Sequence, residues 1–290
     1  MRSLLFVPAD SPKKFAKGMG SGADALILDL EDSVALPNKV AARSTAVDAL
    51  KEGHKNPARP RLYVRMNALD TPFWQGDLSA VMPARPDGIM LPKPRNVGDV
   101  VRVADEIGRL EMAQGVLPGT TTIIAIVSEV PESVLSIAGY AQGPKCLEAL
   151  TWGAEDLSAM LGSQSTREDD GRWTSPYMLA RNLTLMAASA GGRAAIDTVY
   201  VDFKNKDGFA DECRRAARDG FTGKMAIHPD QVAMINEAFT PSAAERAWAE
   251  EITALFAQNP GAGTLALRGQ MIDRPHLVRA ERILKRSRGT

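Results

Sequence analysis

The stretch ADALILDLED, residues 23–32, shows the pattern that decides the fold: a short apolar run, residues 25–30, that is followed directly by carboxylates. Such a run is apolar on both faces, as expected of a parallel strand that is covered on both sides. Seven more runs of this kind occur, at Leu4–Val7, Leu62–Val64, Gly88–Leu91, Thr121–Val127, Leu147–Trp152, Ala195–Val199 and Gly223–Ile227. Longer amphipathic stretches such as Asn96–Met112 separate them. Eight repeats of strand and helix predict a (β/α)8 barrel, an α/β fold, in preference to a doubly wound sheet.

The chain divides by pattern after residue 240. Residues 1–240 contain all eight predicted strands and are expected to form one barrel domain. Residues 241–290 are predicted to form a C-terminal helical extension, with a helix over Ser242–Gln258, a Gly-rich turn at Asn259–Gly263 and a basic helix over His276–Arg288. We expect this extension either to pack on the barrel or to reach a neighbouring subunit as an arm.

Composition excludes several classes of function. The 35 basic residues balance the 35 acidic ones, which argues against a nucleic-acid binder or a polybasic membrane binder. Two cysteines, Cys146 and Cys213, cannot form a disulfide framework or a thiolate zinc site. No apolar run approaches the ~20 residues of a membrane span. The apolar run Leu4–Pro8 near the start is too short for a signal peptide, so a cytoplasmic protein is expected.

Polar side chains cluster where the predicted strands end. They are Asp29, Glu31 and Asp32 after the second strand, Arg65 and Asn67 after the third, Lys93 after the fourth, Glu129 after the fifth, Glu155 and Asp156 after the sixth, and His228 after the eighth. The carboxyl ends of barrel strands converge on one face, and active sites are built there. The sequence therefore predicts a candidate active site from these residues.

The residues alone leave their roles open. Glu129 and Asp156 could form a metal pair, since Mg2+ accepts one or two carboxylates plus water and substrate oxygens; alternatively Asp156 caps a helix and Glu129 is merely exposed. Arg65 could bind a substrate carboxylate, or form an internal salt bridge to the acids after the second strand. Lys93 is a candidate counter-charge for those acids. His228 precedes Pro229 and Asp230, which is typical of a helix start.

Taken together, the chain resembles the citrate lyase beta-subunit-like (CitE-like) family of the HpcH/HpaI aldolase superfamily. The matching stretches run from residue 2 to about residue 284, and they are RSLLFVPADSPKKF, GADALILDLEDSV with KVAAR, YVRMN, GIMLPKP, SEVPES, WGAEDL, GFTGKMAIHPDQV and GQMIDRPHLVRAERIL. The resemblance implies a TIM barrel that assembles as a trimer or a dimer of trimers. It also implies Mg2+-dependent cleavage or formation of a carbon–carbon bond in a 3-hydroxyacyl-CoA thioester such as malyl-CoA, citramalyl-CoA or citryl-CoA, giving acetyl-CoA and a 2-oxo acid.

The same resemblance implies roles for four residues. Arg65 matches the arginine that holds the oxo-acid carboxylate, Glu129 and Asp156 match the Mg2+ ligands, with Glu129 also beside the substrate, and Asp273 matches an acid/base that reaches a neighbour's active site. The segment Glu129–Ser133 reads EVPES where the family has E-T-A-x-G, which puts the shape of the pocket, and hence the substrate, in question. Alternatives are a CoA-independent pyruvate-type aldolase, a subunit of an acyl-carrier-protein-dependent citrate lyase complex, a regulatory pseudoenzyme and a thioesterase outcome.

Overall fold

Eight parallel strands close into a barrel in the order of the chain, and the last strand pairs with the first. The structure is a computed structural model that describes residues 1–288. The strands are β1 Ser3–Pro8, β2 Ala25–Asp29, β3 Arg61–Arg65, β4 Gly88–Leu91, β5 Thr122–Ile126, β6 Leu147–Thr151, β7 Ala194–Asp197 and β8 Gly223–Ala226. Each of them coincides with one predicted apolar run. The prediction of a (β/α)8, or TIM, barrel is therefore confirmed.

Helices connect the strands and cover the outside of the barrel. They are α1 Pro12–Met19, α2 Lys39–His54, α3 Trp74–Val81, α4 Val97–Ala113, α5 Pro131–Ser136, α6 Glu155–Leu161, α7 Ser175–Ala190, α8 Lys206–Asp219 and α9 Asp230–Phe239. Both faces of the strands are consequently buried, and all five residues of β2 are buried. This double burial explains why the strands read as continuous apolar runs.

The barrel interior is filled by one or two side chains from every strand. This cluster consists of Leu4, Ala25, Ile27, Tyr63, Met90, Ile124, Ile126, Ala149, Ile196 and Met225. At the amino ends of the strands, Arg61 and Tyr63 bind Glu148, and the Tyr63 hydroxyl donates to its Oε2 at 2.8 Å. The packed interior leaves only the carboxyl ends of the strands for a cavity.

A second compact unit begins at Glu237 and has its own apolar cluster, while the first unit spans Met1–Asn236. The second unit contains α10 Ala243–Gln258, β9 Thr264–Leu267, β10 Gln270–Asp273 and α11 Arg274–Arg288. Both predicted helices are present, and the segment between them adds an antiparallel hairpin. No helix among residues 1–288 is both long and apolar enough to cross a membrane.

Candidate active site

A cavity of about 610 Å³ opens at the carboxyl ends of the barrel strands. Arg65, Glu129 and Asp156 all line it, together with Asp29 and Asp32. They come from the ends of β2 and β3 and from the segments that follow β2, β5 and β6. The structure thus brings together the three barrel residues that the sequence singled out, at the end of the barrel where the sequence placed the candidate active site.

The wall of the cavity divides by chemistry into two halves. The acidic half contains every carboxylate of the wall, and all of them come from β2 or from the segments after β2, β5 and β6. The apolar half comes from β1, β7 and β8 and the segments that follow them, and it contributes no acid; its members are Leu5, Phe6, Val7, Pro8, Lys14, Lys17, Thr198, Val199, Met225, Ile227, His228 and Pro229. Negative charge is therefore concentrated on one side, while the apolar half carries the positive charges of Lys14 and Lys17.

Arg65 is the last residue of β3 and lies directly beside Asp29, the last residue of β2. Its Nε and Nη2 atoms donate to the two carboxylate oxygens of Asp29, each at 2.7 Å. Its guanidinium also lies 4.8 Å from the ring centre of Phe6. Burial raises the pKa of Asp29, but the hydrogen bonds and charge of Arg65 outweigh burial, so the pKa lies below its usual value. The internal salt bridge left open by the sequence is therefore present.

Glu31 is a buried acid with one oxygen that lacks a hydrogen-bond partner. Its Oε2 lies 2.9 Å from Arg65 Nη1, but among residues 1–288 it accepts no hydrogen bond. Burial raises the pKa of Glu31 to about 7, and the charge of Asp32 adds to this rise, while Arg65 and Lys93 oppose it. The positive charges of Arg65 and Lys93 therefore do not fully compensate for the burial of this carboxyl group.

Glu129 follows β5 and is only 4% exposed, so the alternative of an exposed side chain is wrong. Its position depends on Gly153, because a Cβ at that residue would lie 2.9 Å from Glu129 Cγ. Burial, followed by the negative charges of Glu31 and Asp156, raises the pKa of Glu129 to about 8. The carboxylate form is therefore unfavourable in the absence of further positive charge.

Asp156 lies in the first turn of α6 and faces Lys93, whose Nζ is 3.2 Å from its Oδ1. The N-cap residue of α6 is Ala154, and no side chain makes a capping hydrogen bond there. Helix capping therefore does not account for Asp156. Its side chain is 35% exposed, which leaves it open to the cavity.

Lys93 connects the acids of the site through both its side chain and its backbone. Its Nζ lies 2.6 Å from Glu31 Oε1 and 3.4 Å from Asp32, and its backbone N–H donates to Glu129 Oε2 at 2.8 Å. The predicted counter-charge is therefore confirmed. Lys93 has φ of 50°, a left-handed conformation that typically costs a side-chain-bearing residue ~1–3 kcal/mol. The other contacts of the site hold this strained backbone in place.

The donor set fits a hard divalent cation. Five acids, Asp29, Glu31, Asp32, Glu129 and Asp156, face two cations, Arg65 and Lys93. Within residues 1–288, no group of three or more potential ligands is arranged to hold a metal without help. Mg2+ needs no such group, because one or two carboxylates with water and substrate oxygens suffice. Glu129 and Asp156, with the buried Oε2 of Glu31 nearby, satisfy this requirement.

Two further residues singled out by the sequence are Asp273 and His228. Asp273 ends β10 in the second unit, where its Oδ1 lies 2.6 Å from Nδ1 of His276. His228 lines the apolar half of the cavity and stacks on Phe203, with 5.1 Å between ring centres. Sequence reasoning missed this stacked pair, and only its position after β7 and β8 could have suggested it.

Fold and site together define a class: a TIM-barrel protein whose candidate active site is an acidic cavity with one buried arginine. The chain belongs to the HpcH/HpaI aldolase/citrate lyase family, whose model matches residues 2–229. It is 36% identical to a citrate lyase subunit beta-like protein of Mycobacterium tuberculosis over 283 residues, or 98% of this chain and 94% of that protein. It is 32% identical to the mitochondrial citramalyl-CoA lyase of Mus musculus, covering 98% of this chain and 85% of the mouse protein.

A solved structure extends the likeness to the whole chain. The crystal structure of CitE from Mycobacterium tuberculosis in complex with magnesium, acetoacetate and coenzyme A superposes with a TM-score of 0.80 at 35% identity. The match covers 99% of this chain and 97% of the mycobacterial one. The resemblance inferred from the sequence motifs is therefore confirmed.

Proposed function

We propose that this protein is a Mg2+-dependent carbon–carbon lyase that cleaves or forms a 3-hydroxyacyl-CoA, giving acetyl-CoA and a 2-oxo acid. One observation carries the proposal: a single cavity brings Arg65 together with Glu129 and Asp156 in a chain of this family. Relatives named citramalyl-CoA lyase and L-malyl-CoA/beta-methylmalyl-CoA lyase support the reaction class. The magnesium, acetoacetate and coenzyme A of the mycobacterial structure support the cofactor and the acyl carrier.

Glu129 and Asp156 would hold the metal, and Glu129 would also lie against the substrate. When bound, Mg2+ would lower the pKa of the substrate hydroxyl and neutralise the negative charge that develops in the reaction. Asp29 occupies the Nε–H and one Nη2–H of Arg65, and a guanidinium has five N–H groups. The other Nη2–H and the Nη1–H groups, which face Glu31 without a hydrogen bond to its Oε2, can bind the substrate carboxylate and keep the breaking bond aligned.

Cleavage is a retro-Claisen step. The hydroxyl gives up its proton to solvent water, its carbon becomes the carbonyl of the 2-oxo acid, and the electrons of the broken carbon–carbon bond pass to the thioester as an enolate. The enolate carbon then needs a proton. We assign this transfer to Asp273 of a neighbouring subunit, as the family resemblance implies. In the direction of synthesis, the same group removes a proton from acetyl-CoA.

This assignment requires an oligomer, and we propose a homotrimer or a dimer of trimers. The working partners are small molecules, an acyl-CoA and a 2-oxo acid, with neither nucleic acid nor a membrane involved. A cytoplasmic location stays a prediction from the sequence.

Incubation with Mg2+, acetyl-CoA and each of glyoxylate, pyruvate and oxaloacetate tests the function. We expect an acyl-CoA adduct by mass spectrometry with at least one oxo acid, and release of acetyl-CoA from the matching adduct. Pyruvate-dependent aldol products without CoA would favour a CoA-independent aldolase. Turnover only of a thioester on an acyl carrier protein would favour a citrate lyase subunit, and free CoA without oxo acid would indicate a thioesterase. No product under any condition would contradict the proposal.

A further inference from the structure

We propose that Lys93 acts as a counter-cation for the acidic half of the cavity. Its ammonium group neutralises these acids in the metal-free protein, and its ion pair with Asp156 breaks when a divalent cation binds. The inference rests on the metal site of the proposed function. It assigns Lys93 a positioning role: the lysine sets the affinity for the metal, and it does not take part in the reaction.

The contacts of Lys93 place it between the acids. Its ammonium lies 2.6 Å from Glu31, 3.4 Å from Asp32 and 3.2 Å from Asp156. Its backbone N–H lies 2.8 Å from Glu129. One residue therefore contacts both proposed metal ligands, Asp156 through its charge and Glu129 through its backbone.

The balance of charge explains why the ammonium is needed. Arg65 makes two hydrogen bonds to Asp29 and so neutralises that acid most directly. Four acids remain, and Lys93 is the other cation in contact with them among the described residues. Like charges held close together repel strongly in a buried site, so removal of this ammonium destabilises the metal-free cavity.

A divalent cation between Glu129 and Asp156 would compete directly with the ammonium. Two cations bound to the one carboxylate of Asp156 repel each other, so Lys93 must release Asp156 or weaken metal binding. Glu31 and Asp32 lie on the other side of Nζ and can retain it. Metal binding is thereby linked to the strength of the ion pairs of Lys93.

The alternative is that Lys93 only shapes the segment after β4. The substitution Lys93→Gln separates these roles, because it keeps the backbone N–H that binds Glu129 and keeps a Cβ at the same left-handed φ of 50°. Strain and backbone contact are therefore unchanged, and only the charge is lost. Lys14→Gln is the matched control, since Lys14 lines the same cavity but belongs to its apolar half.

The test combines Mg2+ titration by calorimetry with urea unfolding of the metal-free proteins. We expect Lys93→Gln to bind Mg2+ about tenfold more tightly than the unaltered protein and to unfold at a lower urea concentration without metal. Lys14→Gln should change neither quantity by more than about twofold. If Lys93→Gln itself fails to fold, Lys93→Gln combined with Glu31→Gln restores the balance of charge and should fold, again with tighter Mg2+ binding.

Unchanged or weaker Mg2+ binding by the Lys93 variants would overturn the inference, as would unchanged metal-free stability of Lys93→Gln. Asp156→Asn distinguishes this failure from that of the proposed function. If Asp156→Asn binds Mg2+ as well as the unaltered protein, the metal site itself is misassigned, whatever Lys93 does.

Discussion

Arg65 pairs with carboxylates of the protein, and under the proposed function the same guanidinium would also bind the carboxylate of the substrate. Its pairing with Asp29 depends on the planar fork of arginine, which lysine lacks. We expect Arg65→Lys to lower kcat/KM for the oxo acid roughly ten- to hundredfold, the loss expected for one charged hydrogen-bonded contact, without changing KM for acetyl-CoA. Arg61→Lys, at the opposite end of the same strand, is the control. Unaltered oxo-acid kinetics in Arg65→Lys would leave the arginine a purely structural role.

The metal assignment at Asp156 gives a second prediction. Asp156→Asn removes the ligand charge from a partly exposed side chain, so we expect the loss of measurable Mg2+ binding by calorimetry with cooperative unfolding retained. Asp32→Asn is matched to it, because Asp32 also lines the cavity and contacts Lys93 but is not a proposed ligand. Equal loss of Mg2+ binding in both variants would mean that general negative charge holds the metal, and not Asp156 in particular.

A third prediction concerns Glu148, far from the site at the amino ends of the strands. Burial raises its pKa, but hydrogen bonds involving Arg61, Thr122 and Tyr63 outweigh burial, and the pKa lies below its usual value. A carboxyl group with a lowered pKa stabilises the fold above its unfolded pKa, about 4.3, and this contribution disappears as the pH falls through the folded pKa. Glu148→Gln should therefore be less stable than the unaltered protein at pH 7, and the difference should shrink below about pH 4.3.

Urea unfolding at several pH values between neutral and acidic measures this difference. A gap between Glu148→Gln and the unaltered protein that persists undiminished in acid would show that shape, and not charge, stabilises this end of the barrel.

That acids at the strand ends line the cavity was predictable, but how they pair was only partly so. Carboxylates that directly follow buried strands, such as Asp29 and Glu129, are visible in the sequence because the strand end fixes where they lie. Gly153 and Phe6 are different, since their roles arise from the approach of two loops or strands across the barrel mouth. Single-sequence patterns report the local backbone, and they carry no information on such approaches.

At the scale of elements, residues 162–174 between α6 and α7 are held by Arg167. Its guanidinium lies 3.7 Å from the ring centre of Trp173, and its Nη2 lies 2.7 Å from Glu212. Glu212 in turn binds the fully buried Lys224, which also pairs with Asp197. A continuous charge network thus connects this segment to β7, β8 and α8.

We expect Arg167→Gln to loosen this segment and to speed chymotryptic cleavage after Trp173 about tenfold or more, because both a cation–π contact and an ion pair are lost. Arg172→Gln is the control, since Arg172 lies in the same segment but is exposed and pairs only with nearby Asp170 among the described residues. Equal cleavage rates for the unaltered protein and Arg167→Gln would show that other contacts hold the segment.

Element type was predictable wherever the apolar pattern extends over the whole element. The eight barrel strands and the helices α4, α10 and α11 lie within one or a few residues of their predicted bounds. The hairpin β9–β10 was left unassigned, although Arg268 and Gly269 form its two-residue turn with φ values of 49° and 78°. Its strands have only four residues each and are partly exposed, so their alternation is too short to decide.

At the scale of the whole molecule, the proposed action of Asp273 in a neighbouring subunit makes a quantitative prediction. Asp273→Asn and Asp156→Asn should each be inactive alone. In a random one-to-one mixture of the two in a closed ring, about a quarter of the sites combine an intact Asp156 with a neighbour's intact Asp273. Turnover should recover to about a quarter of the unaltered value after subunit exchange. No recovery despite mixed oligomers seen by native mass spectrometry would place Asp273 in its own subunit's site.

The difference between the two halves of the cavity wall predicts which mutations can change the substrate specificity of this barrel. Because the apolar half supplies no carboxylate, a mutant library confined to Pro8, Val199, Met225 and Ile227 would alter the accepted substrate while the charge arrangement survives. An equally large library in the acidic half would return mostly inactive proteins, since four of its acids, Asp29, Asp32, Glu129 and Asp156, contact Arg65 or Lys93. New specificities in laboratory evolution should therefore arise from the loops after β7 and β8, and from β1, far more often than from the rest of the rim.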